Sequence, residues 1–148
     1  MKAHPNAGGI GIHWLIFGSS HHETRPAGGV LENFTMCAEK NFFYNGYIKS
    51  IFDPVKIFAA NVHTSLCCNG FHCLNENGEI IIDIPTDNIS FDKIRINHYF
   101  CKSKEEYIAI KMSRGDVAFG ITPKNTTLQF FHKYDQNILT DTDILSRI

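Results

Sequence analysis

The run Gly11-Ile12-His13-Trp14-Leu15-Ile16-Phe17 constrains the fold most. Apolar side chains occupy successive positions, so both faces of an extended strand here are apolar, as in a central strand buried between layers. Strand faces alternate strictly, so such a run needs packing on both sides. The polar, breaker-rich Gly18-Ser19-Ser20-His21-His22-Glu23-Thr24-Arg25-Pro26 that follows reads as the loop leaving this strand.

The rest of the chain alternates between the two periodicities. Val30 to Lys40 reads as a helix, with Leu31, Phe34 and Ala38 on one face. Gly46 to Phe52 reads as a strand, closed by a turn at Asp53-Pro54. Phe71 to Leu74 and Glu79 to Ile84 flank Asn75-Glu76-Asn77-Gly78, and Asn-Gly supplies the positive φ of a hairpin turn. Lys93 to Tyr99 reads as a further strand. Ser103-Lys104-Glu105-Glu106 fits a capping box opening a helix to about Arg114, stopped by Gly115. Phe130 to Asn137 reads as a last helix before a polar tail. Strands interleaved with helices indicate α/β.

At 148 residues the chain is most simply one domain, 1–148, long enough to bury a core. A formal net charge of −1 gives no global field that would recruit nucleic acid or an anionic membrane. The apolar stretch around Ile10 to Phe17 is too short to span a bilayer, and the N-terminus has no apolar signal core. Five cysteines, with Cys67 and Cys68 adjacent, do not suggest a disulfide framework and fit a reducing cytoplasm.

Several groups of residues could carry chemistry. His98 lies at the carboxyl end of a strand, where open α/β sheets bind ligands, and its imidazole can ligate a divalent metal. Lys102 and Lys104 flank the next helix start, where backbone N–H groups favour phosphate. The same residues also suit a hydrogen-bonded core histidine and a solvated basic helix. In the loop after the first strand, Gly18, Ser19 and Ser20 let a ligand approach the backbone, His21, His22 and Glu23 are acid/base candidates, and Trp14 could stack on a sugar. An unoccupied Gly-Ser turn with exposed histidines is the plain alternative. His63, Cys67, Cys68, His72 and Cys73 have the side chains zinc prefers, without finger or ribbon spacing. Buried free thiols are their other reading. Asp141-Thr142-Asp143 has the D-x-D pattern that suits Mg²⁺ or Mn²⁺, but Thr140 or Asp141 also serves as a helix N-cap before Ile144 and Leu145. Glu32 is either a catalytic base facing an acceptor hydroxyl or a solvated carboxylate at a helix start.

In order along the chain, these blocks resemble the C-terminal half of a GT-A-type glycosyltransferase of the family 92 group, and its bacterial relatives grouped with family 2. The residues that carry the resemblance are Trp14-Leu15-Ile16-Phe17-Gly18-Ser19-Ser20 with His22, Arg25-Pro26, Val30-Leu31-Glu32-Asn33-Phe34, Lys49-Ser50-Ile51, Asp53-Pro54 and His63. They continue through Ile94-Arg95-Ile96-Asn97-His98-Tyr99-Phe100, Lys102-Ser103, Glu105-Glu106 and Arg114-Gly115. His21 stands where the family pattern has Gly. The resemblance implies a Rossmann-like sheet with flanking helices, present only in part. It also implies metal-assisted transfer of a sugar, with inversion, from a nucleotide-sugar to an acceptor hydroxyl during glycan biosynthesis. His98 would ligate the Mn or Mg ion. Glu32 or His22 would be the base, and Trp14, Gly18, Ser19, Ser20, Arg25 and Lys102 would border the substrates. The upstream D-x-D and donor-binding strands of such an enzyme do not precede Trp14, so a partnering N-terminal half is expected, and with it an exposed apolar face on the first strand. The setting implied is cytoplasmic, at a membrane surface. The rival readings are a non-catalytic glycan-binding or structural remnant and a small zinc-stabilised interaction domain.

Overall fold

The computed structural model describes residues 4–114 and 127–147. The chain is mixed α/β, and its strand pairings are mostly antiparallel. The strands are β1 (Ala7–Phe17), β2 (Met36–Cys37), β3 (Ile48–Phe52), β4 (Ile57–Ala60), β5 (Ser65–Cys67), β6 (His72–Leu74), β7 (Ile96–Tyr99) and β8 (Leu139–Thr140). The helices are α1 (Val30–Asn33), α2 (Lys104–Glu106) and α3 (Leu128–Tyr134). Two compact units emerge: Met1–Leu15 with Lys40–Ile96, and Ile16–Glu39 with Asn97–Ile148.

In the first unit β1 is the organising strand. β3 pairs with it antiparallel from Gly9↔Phe52 to His13↔Ile48, and β6 pairs parallel at Ala7↔His72 and Ile10↔Leu74. Flanked on both edges, β1 is buried at every position except the intermediate Ile10. The central-strand reading therefore holds. The exposed apolar face expected on this strand is not found; exposed apolar side chains lie instead on Ile51, Phe52, Val55 and Phe58. Gly11 sits close under two side chains: a Cβ there would fall 2.5 Å from Ile48 Cδ1 and 2.6 Å from Ile81 Cδ1, and both side-chain ends would have to shift to admit it. β4 and β5 form a separate antiparallel pair.

The hairpin turn forms as the Asn-Gly pair demands. Gly78 has φ +85°, and Asn75 Oδ1 accepts from the backbone N–H groups of Asn77 and Glu79. The second arm is shorter than expected: it meets the first through a bridge at Leu74↔Ile80, and Ile82 to Ile84 lie outside any strand.

In the second unit β2 pairs with the end of β1 at Phe17↔Cys37 and with β8 at Met36↔Thr140. β7 also pairs with β1. The core gathers Ile16, Phe17, Phe34, Cys101, Tyr107, Phe131 and Tyr134, all buried. Each large apolar side chain so enclosed contributes about 1.5–3 kcal/mol.

The helix expected over Val30 to Lys40 is corrected: it stops at Asn33. The Asn33 side-chain amide donates to the carbonyls of Ala27 and Gly29, and Ala38 N donates to Ile16 O, drawing the following segment into the sheet. The expected strand Gly46 to Phe52 begins at Ile48, after a 3-10 turn at Phe43–Gly46. The Ser103 helix forms and widens into a π-helical stretch at Tyr107–Met112. Gly115, its expected stop, lies outside the described residues. No helix among the described residues is long and apolar enough to cross a membrane.

Candidate functional site

Two blocks singled out in the sequence meet in the second unit: the loop leaving β1 and the start of α2. Lys104 N donates to His22 O at 3.1 Å, and Glu105 N donates to Glu23 O at 2.9 Å. The backbone of Arg25 donates to Glu105 Oε2 at 2.8 Å, and Lys104 Nζ pairs with Glu23 Oε2 at 3.1 Å. The helix start is closed from within as well. Ser103 is fully buried; its Oγ accepts from Glu106 N at 3.2 Å and donates to Glu106 Oε2 at 2.9 Å, the capping box read from sequence.

The Gly18–His22 loop is held by groups that the sequence did not single out. Ser19 N donates to Asp135 Oδ1 at 2.6 Å, and Ser20 N donates to Asn137 Oδ1 at 2.7 Å. His21 N reaches Ser19 Oγ at 3.2 Å, and His22 N reaches Ser19 O at 3.0 Å. Ser20 Oγ accepts from Met36 N at 2.9 Å. A side chain on Gly18 would collide with Asn137 Oδ1 and Gln136 O, so only glycine fits there. Ser20 and His21 sit at φ +51° and +63°, in the left-handed region. Asp135 and Asn137 follow α3 immediately, and the only sequence signal for them was a cluster of Asx residues after a helix.

These bonds decide what the loop can bind. The N–H groups of residues 19 to 22 all donate within the protein, as do those of Lys104 and Glu105. The phosphate-binding N–H groups expected at the helix start are therefore committed, and the carboxylate of Asp135 lies against the loop. Lys102 pairs with Glu106 at 3.8 Å. Arg25 is exposed, and among the described residues its guanidinium has no ion-pair partner.

His22 is half-buried, its ring edge-on to Phe34 at 5.4 Å, and Nε2 lies 3.2 Å from Asn33 O. A carbonyl oxygen only accepts, so Nε2 carries a proton, and in the neutral ring Nδ1 presents the lone pair. Glu32 is exposed, with Oε2 accepting from Gly29 N at 2.5 Å, so that oxygen caps its own short helix.

His98 lies on β7, partly buried, with its ring stacked on Phe100 at 5.8 Å. Phe100 in turn stacks on Tyr134 at 4.2 Å, with Lys111 Nζ 3.8 Å from its ring centre. Among the described residues no group of three or more His, Cys, Asp or Glu side chains could hold a metal ion. His98 offers one ligand, and the described residues do not assemble the rest of a metal set around it.

Trp14 belongs to the first unit and is buried, stacked on Tyr47 at 5.6 Å and tilted against His63 at 5.3 Å, with Lys49 Nζ 5.6 Å from its ring centre. The zinc cluster is not assembled. His63 turns toward Trp14, with Nδ1 3.3 Å from Ile48 O, while Cys73 is buried 3.8 Å from Ser50 Oγ. All five cysteines are free, and burial raises the Cys73 thiol pKa. Asp141 Oδ1 accepts from Asp143 N at 3.2 Å in an Asx turn one residue ahead of the expected capping position, because Thr142 O accepts the first bond of the 3-10 turn over Asp143–Arg147, from Leu145 N.

No family model, no curated protein and no solved structure matches the chain.

Proposed function

We propose that the chain forms the acceptor-side part of a glycosyltransferase site, moving a sugar from a nucleotide-sugar to an acceptor hydroxyl. The fold in this reading is the C-terminal portion of a GT-A-type, Rossmann-like domain. One observation carries it: the loop Gly18–Arg25 and the Lys102–Glu106 helix start, the most distinctive blocks of the resemblance, are joined by paired backbone hydrogen bonds although far apart in sequence.

His22 is the stronger base candidate. Its Nδ1 lone pair is left to accept a proton by the bond from Nε2 to Asn33 O, whereas one Glu32 oxygen is already engaged by Gly29 N. In the transfer the acceptor oxygen attacks the anomeric carbon in line, its proton passes to the base, and the bond to the nucleoside diphosphate breaks with inversion. Arg25, exposed beside the loop, is the cation suited to the leaving charge. The donor is bound by a segment that completes the enzyme, at the cytoplasmic side of a membrane.

The committed N–H groups at residues 19 to 22 and at the α2 start favour a second reading, a glycan-binding module without donor chemistry. The test is nucleotide-sugar hydrolysis and transfer with Mn²⁺ or Mg²⁺, by this chain alone and joined to a donor-binding segment. Activity that falls about 10²-fold or more in His22→Gln supports the transferase reading. No turnover in either form overturns it.

A further inference from the structure

The first unit holds an open cavity of about 360 Å³ lined by Lys40, Asn41, Phe43, Thr86, Asp87 and Ile89. That is within the range of small-ligand sites. We infer that this cavity is a subsite for one neutral pyranose ring of a glycan. It is a sugar-binding cleft of the first unit and stands without the sugar-transfer reading.

The chemistry of the lining points to a sugar. Phe43 is 59% exposed, so a broad aromatic surface is left at the cavity wall. The negative face of such a ring attracts the polarised C–H groups on the apolar side of a pyranose. Ile89 extends the apolar wall. The Asn41 amide and the Asp87 carboxylate are exposed and make no hydrogen bond within the described protein, so donors and acceptors remain for vicinal hydroxyls. Thr86 Oγ1, by contrast, already accepts from Asn88 N at 3.3 Å. Charge argues against an anion: Lys40 is 3.9 Å from Asp92, which offsets it, and Asp87 adds a negative charge.

The cleft is also held in shape. The fully buried Asn45 donates from its side chain to Lys40 O at 3.3 Å and from its backbone to Phe42 O at 2.8 Å, fixing the turn that carries Phe43. The opposite wall is tied by Thr86 N donating to Gly46 O at 3.0 Å. Gly46 permits this approach, because a Cβ there would come 2.5 Å from Thr86 O. A wall fixed before binding lowers the ordering cost of a weak ligand.

Saturation-transfer NMR on the full chain with methyl β-glucopyranoside and methyl β-galactopyranoside tests the assignment. At least one should bind, with a Kd on the order of millimolar. Phe43→Ala should weaken it about three- to tenfold, Phe43→Trp should retain it, and Asp87→Asn should weaken it while the fold is unchanged by circular dichroism. Absence of binding by both glycosides, equal binding by Phe43→Ala, or preference for methyl glucuronide or a nucleoside monophosphate would overturn the inference. Sugar binding without transfer sinks the transferase reading and keeps the cleft.

Discussion

Lys104 N donates to His22 O at 3.1 Å, and this bond ties the loop leaving the central strand to the first turn of a helix much later in the chain. Its neighbour, Glu105 N to Glu23 O at 2.9 Å, repeats the arrangement one residue on. Two helix-start N–H groups that ordinarily face water are thereby satisfied by main-chain carbonyls. A change that loosens this turn removes one of the two sets of bonds on the loop that carries His22, the other being those of Asp135 and Asn137.

Ser103 controls that turn. Its hydroxyl both accepts from Glu106 N and donates to Glu106 Oε2, and the residue is fully buried. Ser103→Ala should destabilise the second unit by about 1–2 kcal/mol, the usual cost of losing an N-cap. Hydrogen exchange should show the amides of Lys104 to Tyr107, and with them His22, losing protection together. Exchange confined to the helix would show that the loop is held independently.

His21 adopts φ +63° without a hydrogen bond from its side chain to hold it there. A left-handed non-glycine residue costs about 1–2 kcal/mol, of which the extra flexibility of unfolded glycine returns about 0.5–1. His21→Gly should therefore raise stability by up to about 1 kcal/mol in chemical denaturation. An unchanged or lowered midpoint would mean that the imidazole makes a compensating contribution.

The features legible in the sequence were those set locally. The buried β1 follows from apolar residues on both faces, the Ser103 cap from a spacing of three, and the Gly78 turn from the Asn-Gly pair. The misread ones depend on distant partners. The pattern of Leu31, Phe34 and Ala38 fits a helix, yet Cys37 pairs with Phe17 and Met36 with Thr140, and sheet pairing overrides the helical period. The His63 to Cys73 cluster takes the free-thiol reading for Cys73, which is buried beside Ser50, while His63 packs against Trp14. Within the candidate site, the Gly18 loop and the α2 start were legible as blocks. Asp135 and Asn137, which hold the loop, were not, because a side chain that satisfies a remote N–H leaves no periodic trace.

Gly18 tests how tightly those two residues grip. Its missing Cβ is the space taken by Asn137 Oδ1 and Gln136 O, and one of these is main chain that cannot swing away. Gly18→Ala should cost about 1–3 kcal/mol, as overpacking does. It should also break the Ser20 N bond to Asn137, which an upfield shift of the Ser20 amide proton would register. A fully stable Gly18→Ala variant would contradict the close approach.

His13 should make the stability of the first unit sensitive to acid. It is fully buried on β1, and neither ring nitrogen makes a well-aligned hydrogen bond among the described residues, although the Ser90 backbone lies near enough to favour the charged ring. Burial lowers its pKa below the ordinary histidine value; the nearby charge of Glu76 and the Ser90 backbone oppose the shift, and Lys40 adds to it. In the unfolded chain the imidazole protonates near its ordinary value of about 6.5. The unfolded state therefore binds the proton more readily than the folded one, and stability rises with pH across this window. Stability should be fully present above about pH 6.5 and fall as pH drops from there through the lowered folded value. His13→Leu removes the titrating group and an unpaired buried dipole, so it should remove this part of the acid sensitivity and leave stability at about pH 8 unchanged or higher. Urea midpoints of both proteins against pH decide the matter: parallel curves would show that His13 already finds a partner that neutralises its charge.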